Sequence, residues 1–87
     1  MTRRQDRIVR ALTQAFAPLE LQVEDDSHRH HGHAGARPGG ETHYSVRIVA
    51  EAFTGKSAVA RHRLVNEALA DEFKSGLHAL AIDARSP

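Results

Sequence analysis

The sequence predicts a two-layer α+β domain, a three-stranded mixed sheet with helices on one face. Three segments, near 19–24, 43–48 and 78–84, alternate in side-chain character with the period of two of a half-buried strand. Two others carry apolar residues at helical spacing. At 87 residues, 40 % of them hydrophobic, the chain has the material for one small core. A single domain over residues 1–87 follows.

Taken in order, Thr2-Arg3-Arg4-Gln5 fits a capping box, with Thr2 at the N-cap and Gln5 three residues on. Ile8, Leu12 and Phe16 follow as an apolar helix face, flanked by Val9 and Ala15, and Pro18 ends the helix. Leu19, Leu21 and Val23 alternate with Glu20, Gln22 and Glu24 as a first strand. Residues from about 26 to 42 have no periodicity and gather His28, His30, His31 and His33, four of the seven histidines, into one long loop. Connections this long are uncommon in compact domains and commonly carry function. Tyr44, Val46 and Ile48 restore the period of two, with His43, Ser45 and Arg47 on the opposite face, and close an antiparallel hairpin. His43 therefore reads as exposed beside the loop.

Gly55-Lys56-Ser57 punctuates the chain, and Ser57 is a natural N-cap. Val59, His62, Val65, Leu69 and Phe73 form a helical stripe, helped by Leu64 and Ala68, and this helical region admits a break into two. His62 on that stripe reads as a packing or hydrogen-bonding residue. Gly76 stops the helix. His78, Leu80, Ile82 and Ala84 share one parity as a third strand, so His78 opens it on the buried face.

A helical crossover between the second and third strands predicts that they are parallel. Their N-terminal ends then lie at one edge, together with the C-terminal end of the first strand. The histidine loop, His43 and His78 converge there. The loop cluster alone reads equally as a ligand set or as a solvated linker, because its spacing is not that of a zinc finger or a helical His-x-x-x-His site. His78 reads either as a ligand or as a histidine satisfied by a carbonyl at the sheet end.

Composition excludes several classes. A net charge of +1 singles out neither nucleic acid nor an anionic membrane as partner. Without cysteine there is no disulfide framework, no thiolate zinc site and no thiol chemistry. The apolar runs are too short to span a bilayer. The charged stretch 1–7 reads as a helix start rather than a signal peptide, so the expected compartment is the cytoplasm. Gly55-Lys56-Ser57 mimics the tail of a phosphate-binding loop, but the position where that motif needs its first glycine holds Ala50. No Ser-His-acid set emerges, and the reading is that of a protein without enzymatic activity.

Five short motifs then act together. Ser27-His28, Glu41-Thr42-His43-Tyr44, Phe53-Thr54-Gly55-Lys56-Ser57, Arg61-His62-Arg63-Leu64-Val65-Asn66 and Leu77-His78-Ala79-Leu80-Ala81-Ile82 jointly resemble the BolA family over nearly the whole chain. The resemblance implies a fold similar to the class II KH domain, α-β-β-α-α-β. It also implies a complex with a monothiol glutaredoxin that shares a [2Fe–2S] cluster, and a role as a DNA-binding transcriptional regulator. The family's C-terminal ligand histidine falls on His78. The second ligand, a His or Cys of the loop, falls on His33 in Gly32-His33-Ala34, with His30 and His31 as alternates.

The chemistry agrees, because imidazole replaces thiolate on one iron of Rieske-type clusters. A chain without cysteine would supply histidines while the glutaredoxin cysteine and glutathione supply the thiolates. Alone it would hold no cluster tightly and would be a monomer or weak homodimer. The rival reading is DNA binding through Lys56, Arg61 and Arg63 at the start of the second helix, where a helix N-terminus and basic groups suit phosphate. Against it, the Gly-x-x-Gly loop of KH domains is absent and Glu67, Asp71 and Glu72 make the rest of the helix acidic.

Overall fold

A computed structural model describes residues 3–26 and 42–87. The elements run α1 (Arg4–Phe16), β1 (Glu20–Asp25), β2 (His43–Val49), a 3-10 turn (Glu51–Phe53), α2 (Ala58–Ala68), α3 (Ala70–Lys74) and β3 (Ala79–Arg85). The helical region after Ser57 is broken in two, at Leu69. Among the described residues no helix is long and apolar enough to cross a membrane.

The start of α1 corrects the capping-box expectation. Arg3 is the N-cap and no side chain caps the helix there, while Thr2 lies outside the described residues. Gln5 does not turn back on the helix start; its Nε2 donates to the Val23 carbonyl at 2.9 Å and ties α1 to β1. The helix ends at Ala17, which takes a left-handed φ of 45° ahead of Pro18. Ser57 caps α2 as expected, its side chain accepting from the Ala60 N–H at 3.1 Å.

The sheet order is β1-β2-β3. β1 runs antiparallel to β2, pairing Leu21 with Ile48 and Val23 with Val46. β3 runs parallel to β2, pairing Val46 with Ile82 and Ile48 with Ala84. These pairs place the alternating apolar residues of all three strands on one face. Ile8 and Leu12 of α1 and Val65 and Leu69 of the second helical region join Tyr44, Val46, Ile48, Phe53, Leu77 and Ala84 in the core. Phe16 packs on Phe53 with ring centroids 5.0 Å apart. Each large side chain buried this way contributes about 1.5–3 kcal/mol.

The predicted stripe is buried in part: Val65 and Leu69 are buried and Leu64 and Ala68 half-buried, but Val59 is 60 % exposed, and His62 and Phe73 are exposed as well. With half-buried Arg61, these four give the i, i+3, i+4, i+7, i+8 pattern of a core-facing helix, and Ala60 beside Arg61 is also half-buried. The true stripe starts from an arginine, whose stem packs while its Nη1 donates to the Lys56 carbonyl at 2.8 Å.

A polar clamp closes the helical layer. Arg4 donates to Glu72 Oε1 at 2.9 Å and to Ser75 Oγ at 2.8 Å, and reaches the carbonyls of both residues. Arg7 donates to the same Glu72 carboxylate. This joins the first turn of α1 to α3 and fixes the segment that leads into β3.

Candidate functional site

The parallel register sets His43 beside Ala79, the first residue of β3. Just before that pair, the Thr42 carbonyl accepts from the N–H of His78 at 2.8 Å and of Ala79 at 3.1 Å. On the other side of β2 the Asp26 N–H donates to the His43 carbonyl at 2.8 Å. Asp26 and Thr42, the two stems of the connection that carries the histidine cluster, therefore stand at the same sheet edge as His78. The predicted convergence of His43 and His78 is present, with ring centroids 5.4 Å apart and planes tilted by 51°.

Two details correct the expectations drawn from strand parity. His78 is exposed rather than core-facing, because β3 starts one residue later and Leu77 takes the buried position ahead of it. His43 is 7 % exposed rather than open to solvent. Its ring lies against His78, and its Nδ1 shares a 2.9 Å hydrogen bond with Thr42 Oγ1. Location at the edge, under its neighbours, outweighs the face that alternation assigns. Asp26 is also buried here and accepts a hydrogen bond from Ser45 Oγ.

His30, His31 and His33 lie outside the described residues. Among the described residues no three His, Asp or Glu side chains gather into a metal site. The His78 imidazole is exposed, its N–H and that of Ala79 donate to the Thr42 carbonyl, and both stems of the connection that carries four more histidines stand at the same sheet edge. The donor set fits an iron–sulfur cluster only as a shared group, because the chain has no cysteine.

The three basic candidates do not form one equivalent patch. Lys56 and Arg63 are exposed, while Arg61 is half-buried with its head group on the Lys56 carbonyl. Arg47 stands on the open face of the sheet opposite Asp83. The Asp83 carboxyl is held below its ordinary range by the hydrogen bond from Arg85, with the charges of Arg85 and Arg47 adding to it against some desolvation. The open face is charge-balanced rather than basic.

Fold and edge site together define a small α+β domain that presents one strand-end histidine beside a histidine-bearing connection. The chain belongs to the BolA family, whose model, described as BolA-like protein, matches residues 12–87. It is 53 % identical over 85 residues to SufE-like protein 1, chloroplastic/mitochondrial, of Arabidopsis thaliana, covering 93 % of this chain but only 23 % of that protein. It is 45 % identical over 78 residues to the DNA-binding transcriptional regulator BolA of Vibrio cholerae, covering 90 % of this chain and 70 % of the relative. The solved BolA domain of SufE1 from Arabidopsis thaliana superposes with a TM-score of 0.87 at 49 % identity, covering 100 % of this chain and 95 % of that one.

Proposed function

We propose that this chain binds a monothiol glutaredoxin and co-ligates a [2Fe–2S] cluster with it through histidines, serving iron–sulfur cluster trafficking or iron regulation without catalysis of its own. The observation that carries the reading is the exposed imidazole of His78, a residue whose backbone is held by Thr42 at the edge where both stems of the histidine connection stand. His33 lies seven positions after Asp26. At about 3.3–3.6 Å per extended residue, that length is ample to reach His78 from the stem. His33, with His30 and His31 as alternates, would supply the second imidazole, and a glutaredoxin cysteine and glutathione the thiolates. A cluster held this way has one iron with imidazole ligands, which raises its potential relative to all-thiolate ligation.

The test is a titration of this protein into a cluster-loaded monothiol glutaredoxin with glutathione, followed by visible absorption and circular dichroism. The spectrum should move from all-thiolate to mixed thiolate–imidazole ligation. His78→Ala should abolish the change. His33→Ala should cost less, because His30 or His31 on the same connection can substitute, and removing all the loop histidines should match the His78 loss. A mixed-ligand spectrum that survives His78→Ala defeats the assignment.

A second reading, DNA binding, is favoured by the Ser57-capped start of α2 with Lys56 and Arg63 exposed beside it, and by the name of the Vibrio cholerae relative. Binding there would rest on Lys56 and Arg63, with Arg61 the weaker contributor because its head group is engaged, and would fall steeply with salt.

A further inference from the structure

We propose that His43 is a positioning residue, whose buried ring, pinned by Thr42, holds the His78 imidazole in its solvent-facing orientation. The proposal rests on the cluster reading of His78, and it assigns His43 a role distinct from ligation.

Two hydrogen bonds to the Thr42 carbonyl fix the backbone at His78 and Ala79. What stays free in His78 is its side chain, two torsions on an exposed imidazole. A ligand that rotates freely loses that freedom when it coordinates, and a neighbour that restricts it beforehand reduces the loss. His43 is such a neighbour. Its ring packs on His78 at a centroid distance of 5.4 Å and a tilt of 51°, within the range of favourable ring pairs.

His43 cannot easily yield, because it is 7 % exposed and Thr42 beneath it is 2 % exposed. Its Nδ1 is hydrogen-bonded to Thr42 Oγ1 at 2.9 Å, and its carbonyl accepts from Asp26. Thr42 thus does two things at once. Its carbonyl holds the His78 backbone and its hydroxyl holds the ring that faces the His78 side chain. One residue sets both the origin and the direction of the exposed imidazole.

The experiment compares His43→Ala, His43→Phe and Thr42→Val in the full chain. In the protein alone, three-bond couplings across the Cα–Cβ bond of His78 report its rotamer by nuclear magnetic resonance. The wild type should show one dominant rotamer. His43→Ala should show averaged couplings, His43→Phe should keep the wild-type pattern because a ring still fills the place, and Thr42→Val should fall between. With cluster-loaded glutaredoxin and glutathione, His43→Ala should need about threefold to tenfold more protein to reach the mixed-ligand spectrum, the range expected for one freed side chain. His43→Phe should stay within about twofold of wild type.

Unchanged His78 couplings in His43→Ala overturn the proposal, and so does a His43→Phe variant as defective as His78→Ala, which makes His43 a ligand. Should His43→Ala not fold, the phenylalanine and valine variants carry the same comparison. If His78→Ala itself leaves the mixed-ligand spectrum intact, the cluster reading falls, and the couplings of the protein alone still decide whether His43 orients His78.

Discussion

Glu72 is the acceptor on which two guanidinium groups of α1 depend. Arg4 and Glu72 have side chains only 9 % and 12 % exposed, so their charges are screened less than a surface pair would be. Glu72→Ala would remove the carboxylate while Arg4 keeps its bonds to Ser75 and the two carbonyls. The expected loss is about 1.5–3 kcal/mol, the range for a hydrogen bond to a charged group. Glu72→Gln should lose less because it keeps an acceptor oxygen, and urea unfolding midpoints at constant slope measure the difference. Spacing within the sequence gives no sign of this clamp, because its two ends are 68 residues apart. The same blindness explains His43. Alternation reports which face of a strand a side chain takes, but a residue at the end of a sheet is also covered by whatever begins or ends beside it. The place of His78 at the sheet edge was legible because it opens a predicted parallel strand. Its exposure was not, because that depended on where the strand starts.

Among the elements, strands and helices differ in how openly they declare their buried face. Tyr44, Val46 and Ile48 are buried as their alternation requires, because a strand offers only two faces and one is visibly apolar. Of the predicted stripe around α2, Val65 and Leu69 are buried and Leu64 and Ala68 half-buried, while Val59, His62 and Phe73 are exposed. The buried face instead runs on through half-buried Arg61, because the stem of a long cation packs on apolar surface as readily as an aliphatic side chain. Leu69→Ala should therefore cost about 2–5 kcal/mol, since Leu69 is 1 % exposed at the break between α2 and α3. Val59→Ala should stay within about 0.5 kcal/mol of wild type, as expected for a surface position. Thermal melts of the two variants separate the buried from the exposed part of the predicted stripe, and a large loss from Val59→Ala would reverse the assignment.

For the molecule as a whole, the crossover of a helical region between two strands made the parallel pairing of β2 and β3 legible, and with it the common edge. The stems at Asp26 and Thr42 are set by strand register, which holds both ends of the fifteen-residue connection between them. Replacing residues 27–41 by a four-residue Gly-Ser turn removes about two doublings of loop length and should change stability by only about 1 kcal/mol, in the stabilising direction. The shortened protein should keep its melting cooperativity while losing the mixed-ligand spectrum with glutaredoxin. A collapse of the fold on shortening would show that the connection is structural. The double acceptance at the Thr42 carbonyl has a mechanical consequence as well. Thr42 belongs to the incoming stem, yet its oxygen anchors the first two amides of the neighbouring strand end. A partner that grips residues 27–41 therefore pulls on β1 through Asp26 and on β2 through Thr42, and it is the Thr42 side that passes the load to the His78 amide.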